Sequence, residues 1–404
     1  MFRNLSAEVR QYLFVTGNYW AFTLTDGALR MLVVLHFHQL GYSPLSIALL
    51  FVFYEFFGVI TNLIGGWLGA RIGLNKTMNA GLSLQLIALL MLTVPVGLLT
   101  VPWVMAAQAL SGIAKDLNKM SAKSSVKQLA NAQIEGHLYK WVAILTGSKN
   151  TLKGLGFFLG GVLLSLAGFT GAIWIMILCL AVVLLMSLRY LKQNLGKAKN
   201  KPKFTDIFST SKAVNRLSAA RLFLFGARDI WFVVALPVYL SSSFGWDHWA
   251  VGSFLAGWIV IYGLVQAAAP WITGRRSGTP PDGRSALIWV LLLTGVPVLI
   301  ALGLVINPYI ALLGGLGLFG ILFAINSSLH SYLIVSYAKE EGASMDVGFY
   351  YMANAMGRLI GTLLSGALFQ TWGLEACLWA STLFLLITCG LSTGLPVHKV
   401  AKAQ

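Results

Sequence analysis

Hydrophobic residues in this chain are gathered into stretches of about 20 or more, the length a helix needs to cross the hydrocarbon of a bilayer. Twelve such stretches fall at roughly 12–38, 45–64, 76–94, 102–122, 140–166, 169–190, 216–240, 248–271, 285–305, 309–335, 345–369 and 374–395. In lipid every backbone N–H and C=O must be bonded internally, so continuous apolar runs of this length are helices. The expected fold is therefore all-α and integral to a membrane, with twelve transmembrane helices. Only 10% of the 404 residues are charged, against about 25% in soluble domains. A net charge of +16 could suggest nucleic acid, but almost no polar domain exists to hold it.

Topology accounts for the charge better. The even connections carry Arg71 and Lys76; Lys123, Lys127 and Lys140; Arg189 through Lys212; Arg275, Arg276 and Arg284; and Lys339. The odd ones (HQLGYSPLS, PVGLLTVP, AGFTG, SSSFGWDH, NP and TWGLE) contain no Lys or Arg. By the positive-inside rule both termini of this multi-pass protein are expected in the cytoplasm. The opening MFRNLSAEVRQ is polar and leads into a full-length span, so no cleavable leader is expected. Cys179, Cys377 and Cys389 lie in apolar runs without metal or redox spacing and are expected to pack. No cofactor and no metal site is expected.

The longest connection, LKQNLGKAKNKPKFTDIFSTSK, splits the helices six and six. It implies an N-terminal bundle over 1–190, a basic cytoplasmic linker over 191–215 lying against anionic lipid, and a C-terminal bundle over 216–404. The halves also repeat. Gly41 and Arg71 recur 204 residues on at Gly245 and Arg275. Gly112, Ile113 and Asn118 recur 208 on at Gly320, Ile321 and Asn326. Lys153, Gly156, Gly161 and Gly168 recur 205 on as Arg358, Gly361, Gly366 and Gly373. A 6+6 pseudo-twofold repeat with a basic middle loop resembles the major facilitator superfamily, whose substrate site lies between repeats near the bilayer midplane. GGWLGARIGLNK is similar to that superfamily's cytoplasmic gating motif, with Gly66, Arg71, Gly73 and Lys76 at its positions. Ala70 replaces the motif's acid, which places the usual gating ion pair in question. ITGRRSG after the eighth span is a weaker echo.

The charges inside the spans bear on function. Four acids (Asp26, Glu55, Asp116, Asp229) and eight bases (Arg30, Lys115, Lys119, Lys149, Lys153, Arg221, Arg228, Arg358) lie there. A central Lys or Arg costs roughly 3 kcal/mol on insertion scales. Eight facing lipid would cost on the order of 20 kcal/mol, at or above typical folding stability, so they must face protein or a watery cavity. Asp26 with Arg30, Arg228 with Asp229, and Asp116 with a neighbouring lysine can neutralise one another. Even so, eight minus four leaves four cations, and the simplest partner for that surplus is an anion bearing several charges.

In the superfamily fold, spans 1, 4, 7 and 10 line the cavity and 2, 5, 8 and 11 flank it. Lys115 and Lys119 then lie on span 4, Lys149 and Lys153 on span 5, Arg228 on span 7 and Arg358 on span 11. Lys153 and Arg358 are repeat mates, a cation from each half for one ligand. Lys115, Lys119 and Lys149 match Phe323, Ser327 and Asn354 in the second half, so the stronger anion clamp is expected in the first. Lys123 and Lys127 continue the lysine ridge of KDLNKMSAKSSVK towards the cytoplasm and read as positive-inside residues. Asp26, Glu55 and Asp229 compete for the role of proton carrier, with nothing in the sequence to choose among them. His330 is a ligand, a proton site or a hydrogen-bonded interior histidine, while His36 and His38 read as interfacial. Tyr19, Asn118, Asn150 and Asn326 are candidate polar contacts, as are Asn18 and Trp20. GLGFFLGG and GGLGLFG look like phosphate loops, but inside spans such glycines serve close helix packing.

A closer resemblance rests on three blocks, GNYWAFTLTDGALRMLVVLHFHQLG, AQALSGIAKDLNKMSAKSSVK and WVAILTGSKNTLKGLGFFLGG. Together they resemble the organoarsenical efflux permeases of the ArsJ type, over nearly the whole chain. The resemblance implies export of 1-arseno-3-phosphoglycerate, made by a partner glyceraldehyde-3-phosphate dehydrogenase that uses arsenate in place of phosphate. It implies a secondary active carrier conferring arsenate resistance by alternating access, coupled to proton antiport, and not an enzyme. A monomer is expected, with this small polyanion and the lipid bilayer as its partners and no nucleic acid. An organophosphate/phosphate exchanger or a general organic-anion transporter would show the same cation surplus and stays open. A membrane enzyme acting on phosphorylated lipid would need a nucleophile or a His–acid pair at the interface, and His137 and His248 have no such spacing.

Overall fold

The computed structural model describes residues 7–41, 50–130, 137–191, 195–274 and 280–397. Every regular element among them is helical. In chain order these are α1 (Ala7–Gln39), α2 (Val52–Ile72), α3 (Leu74–Met91), α4 (Val101–Leu129), α5 (His137–Tyr190), α6 (Lys212–Phe232), α7 (Ala235–Phe244), α8 (His248–Gly274), α9 (Gly283–Leu304), α10 (Pro308–Tyr337) and α11 (Ala343–Ser392). Among the described residues six helical runs are long and apolar enough to cross a membrane: 137–190, 212–244, 250–273, 283–304, 308–337 and 343–392.

Two of those runs are too long for one crossing, at 54 and 50 residues. Each is broken at a glycine in the left-handed region: α5 at Gly168 (φ 66°) and α11 at Gly373 (φ 76°). Only glycine adopts that backbone without strain, so the helix is interrupted by a kink there and each run is two helices. These glycines are repeat mates, as are Gly41 and Gly245, which also hold positive φ (83° and 70°). The internal repeat read from the sequence thus reappears in backbone angles.

The chain forms two compact units. One comprises Met1–Asn131, Ser148–Phe208 and Ala338–Met352; the other Ala132–Gly147, Ser209–Tyr337 and Ala353–Gln404. The core of the first holds Phe22, Leu29, Leu32, Phe37, Tyr54, Leu82 and Leu89, all within 2% of complete burial. That of the second gathers Leu224, Trp231, Leu236, Leu293, Leu316, Phe319 and Phe323, all fully buried. Small residues set the helix crossings in both, as expected where lipid supplies no hydrophobic drive between helices. A Cβ at Gly156 would meet the Leu24 carbonyl oxygen of α1 at 2.5 Å, and one at Gly361 the Gly226 oxygen of α6 at 2.7 Å. These two glycines are again repeat mates.

The described part of the basic linker is bonded to the first unit. Leu74 N donates to Leu195 O at 2.8 Å and Ala198 N to Ala70 O at 2.9 Å. Trp67 Nε1 donates to Pro202 O at 3.1 Å, and Phe204 lies edge-on to the same indole. Glu341 Oε1 accepts from Lys199 N at 2.8 Å and Asn200 N at 3.4 Å. Ala198 and Pro202 are buried while Lys197, Lys199, Lys201 and Lys203 are exposed. Unbonded peptide groups on this apolar end would be costly, and the lysines still face outward. Lys123 differs from the expectation: read as a residue of the aqueous end, it is 2% exposed, since α4 runs on to Leu129 inside the first unit. Of the cysteines, Cys377 and Cys389 are buried, whereas Cys179 lies on an exposed apolar face.

Candidate functional site

The first unit builds a charged cluster around Tyr54 of α2. The Tyr54 hydroxyl donates to Asp26 of α1, 2.7 and 2.9 Å from the two carboxylate oxygens. Lys115 of α4 places Nζ 3.7 Å from the centroid of the same ring. Arg30, one turn beyond Asp26, holds its guanidinium 5.3 Å from that centroid and 4.9 Å from the Phe51 ring. An aromatic face attracts cations through its quadrupole, so one side chain serves two cations and an acid.

Asp116 of α4, 2% exposed, accepts from Lys119 Nζ at 2.6 Å, with Lys115 Nζ at 3.9 Å. Gly58 makes room for this carboxylate, since a Cβ there would stand 2.9 Å from Asp116 Oδ2. Lys119 also lies 4.9 Å from the Tyr351 ring centroid. Within the cluster Arg30, Lys115 and Lys119 face Asp26 and Asp116, three charges against two. Tyr19 is buried beside it, its hydroxyl unbonded among the described residues. Lys149, Asn150 and Lys153 lie half-buried on α5 of the same unit, Lys153 Nζ 5.8 Å from the Phe157 ring. Glu55 falls on α2, but its side chain lies outside the described residues.

The second unit repeats the theme with guanidiniums. Asp229 of α6 is fully buried. Arg228 binds its Oδ1 through Nη2 at 2.5 Å and Nε at 2.6 Å, and Arg358 of α11 donates Nε to Oδ2 at 3.3 Å. Arg228 rests 4.9 Å from the Phe225 ring and 5.3 Å from Phe323. His330 of α10 is fully buried, and neither ring nitrogen is bonded among the described residues.

Other candidates stand apart from these clusters. Asn326 spends its amide N–H groups on Trp289 O and Leu322 O, both at 2.9 Å, fastening α10 to α9. Its repeat mate Asn118 is fully buried on the side of α4 that faces α3, where a Cβ on Gly81 would meet Asn118 N at 3.3 Å. Asn18 donates to Ser187 at 3.0 Å, and Trp20 donates to Ser148 at 2.7 Å. His36 stacks on Phe169 at 4.0 Å, while the side chain of His38 lies outside the described residues.

In the gating motif, Gly73 turns the chain between α2 and α3 with φ 106°. Gly66 lets α11 approach: a Cβ there would meet Ser344 O at 2.5 Å, and Ser344 Oγ donates to Gly66 O at 2.7 Å. Arg71 is exposed, 5.0 Å from the Trp67 ring, and Lys76 is exposed. Ala70, where the motif has an acid, uses its carbonyl to hold the linker.

Sequence reasoning left two residues out of the site. Tyr54 sits in the apolar run FVFYEFF of the second span, and its link to Asp26 spans 28 residues. Arg221 was counted among the intramembrane bases but given no role. It is 3% exposed and donates Nε to Asn354 Oδ1 at 2.8 Å and Nη1 to Ser327 O at 3.3 Å. With Arg228 and Arg358 it gives the second unit three cations against Asp229, so the first unit is not alone in holding a surplus. The signal was available, because Ser327 and Asn354 are the repeat mates of Lys119 and Lys149.

Comparison with known proteins fixes the family. The profile described as Major Facilitator Superfamily matches residues 15–281, more than half of the chain, and the chain belongs to that superfamily. It is therefore a multi-pass membrane transporter and not an enzyme. Solved structures share the fold. The human organic anion transporter MFSD10 (TETRAN) is similar with a TM-score of 0.76 at 17% identity, covering 96% of this chain and 100% of that one. The E. coli fucose:proton symporter FucP is similar at 0.73 and 11%, covering 96% and 99%. A bacterial homologue of the iron transporter ferroportin, outward-facing, gives 0.73 and 14% over the same shares. No curated protein sequence matches the chain.

Proposed function

We propose that this transporter exports 1-arseno-3-phosphoglycerate and thereby confers resistance to arsenate. The observation carrying the proposal is that each unit buries a carboxylate shared between two cations and still holds more positive than negative charge. Lys115, Lys119 and Arg30 exceed Asp116 and Asp26 in the first; Arg221, Arg228 and Arg358 exceed Asp229 in the second. A site that holds cations in surplus, in low dielectric, favours an anion with several charges. Phosphate at one end of the ester and arsenate at the other meet that demand. Resemblance in the three sequence blocks supports the arsenical over other organophosphates.

Substrate binding is assigned to Arg30, Lys115, Lys119, Lys149, Lys153, Arg228, Arg358 and His330, with Tyr19 and Asn150 beside them. On this reading Asp116 and Asp229 stand in for the anion's charges when the site is empty. Proton antiport through Asp26, Glu55 or Asp229, a 6+6 division of twelve spans, cytoplasmic termini, a monomeric state and supply of the ester by glyceraldehyde-3-phosphate dehydrogenase complete the proposal. Everted vesicles containing the protein test it, with radioactive arsenate outside. Uptake should require glyceraldehyde 3-phosphate, NAD and the dehydrogenase together, and should fall with an uncoupler. Uptake of bare arsenate would instead mark a general oxyanion carrier. Failure with the ester in vesicles that exchange other organophosphates would mark an organophosphate exchanger.

A further inference from the structure

We propose that Arg221 and His330 form a second anion-binding level in the second unit, separate from the Arg228–Asp229–Arg358 level and suited to the far acid group of a short two-ended anion. This rests on the reading of the protein as a carrier of organic anions.

Arg221, Phe225 and Arg228 stand at i, i+4 and i+7 on α6, so they share one helical face. The Phe225 ring takes a guanidinium from each, Arg221 at 3.8 Å and Arg228 at 4.9 Å from its centroid. Seven residues of helix separate the two arginine Cα atoms by about 10 Å along the axis. Two cationic levels are thus spaced by an aromatic layer. That is the pattern needed to hold a short carbon chain with an acid at each end.

The groups around Arg221 point to a ligand at its own level. Its guanidinium is held by the Asn354 side-chain oxygen and the Ser327 carbonyl. Those two positions are where the first half of the chain has Lys149 and Lys119. The second half therefore supplies its cation from α6 at the place where the first supplies lysines from α4 and α5. His330 lies one turn beyond Ser327 on α10, within electrostatic reach of Arg221. Among the described residues its two ring nitrogens are unbonded although the residue is fully buried, and so are the hydroxyls of Ser218, 1% exposed, and Ser331, fully buried. Ser218 is one turn before Arg221 on α6.

A neutral imidazole always keeps one N–H, and each hydroxyl has one O–H to give. Buried donors left unbonded are rare in native structures and need an explanation. A carboxylate or a tetrahedral oxyanion, with several acceptor oxygens, satisfies a guanidinium, an imidazole and two hydroxyls together. The ligand class is therefore a small molecule with phosphate or arsenate at one end and a second acid group a few carbons away.

Two probes separate the levels in purified full-length protein: 3-phosphoglycerate, with two anionic ends, and glycerol 3-phosphate, with one. Apparent affinities come from the ligand-dependent rise of the thermal midpoint. The wild-type protein should bind 3-phosphoglycerate about 10-fold tighter or more, the worth of one charge-assisted hydrogen bond. Arg221→Gln and His330→Gln should each bring that ratio close to one, by weakening 3-phosphoglycerate far more than glycerol 3-phosphate. A ratio unchanged in His330→Gln would overturn the assignment even if Arg221→Gln failed to fold. So would an equal loss for both probes, which would mark a structural role. A wild-type protein that binds neither probe would contradict the organic-anion reading itself.

Discussion

Asp229 is fully buried between two guanidiniums, and its energetics follow from that placement. Removing one partner from a buried ion pair costs about 3–5 kcal/mol, because a charge is left uncompensated. Arginine cannot escape by losing its proton, so Asp229→Asn should lower the thermal midpoint in detergent markedly. Phosphate in the buffer should restore part of that loss, and raise the midpoint more in the variant than in the wild-type protein, since it supplies the missing negative charge. An equal response to phosphate in both proteins would argue against an anion site there. At this scale the sequence was informative only for neighbours. Arg228 and Asp229 are adjacent, and Lys119 is one turn from Asp116, so both pairs could be read directly. Arg358 reaches Asp229 across 129 residues, and Arg221 reaches Asn354 across 133. No local spacing encodes such partners.

Elements obey the repeat more closely than single contacts do. Gly168 and Gly373 break their helices with the same left-handed backbone kink, and Gly156 and Gly361 sit where neighbouring helices touch. A Cβ at Gly361 would meet backbone 2.7 Å away, whereas one at Gly366 meets nothing within 4 Å. Gly361→Leu should therefore lose the folded, monodisperse peak in fluorescence-detected size exclusion, while Gly366→Leu should keep it. Helices and their breaks were legible because apolar length and glycine position are local properties. The docking of the linker was not, since its Lys-rich sequence advertises only solubility. Its hold on Glu341 uses backbone N–H groups that any residue could offer. With Glu341→Ala, tryptic cleavage after Lys197, Lys199 or Lys203 should accelerate severalfold, because an undocked segment can enter a protease cleft. Unchanged cleavage would show that the bonds from Leu74, Ala198 and Trp67 are sufficient alone.

Across the whole molecule, the sequence specified the class through charge rather than through any catalytic motif. A chain with 10% charged residues that still carries a net charge of +16 must put its bases either at one membrane face or in a protected interior. Here the two buried clusters hold bases of the second kind. Each cluster shields its cations with aromatic rings and a shared carboxylate, which keeps them tolerable in the absence of substrate. The central claim is that the cations serve an anion and are not there for folding alone. The most direct test is uptake of the arsenylated ester by everted vesicles carrying Lys153→Ala or Arg358→Ala, with the membrane content of each variant measured in parallel. Both variants should insert normally and lose transport. Unchanged transport in both would contradict the account.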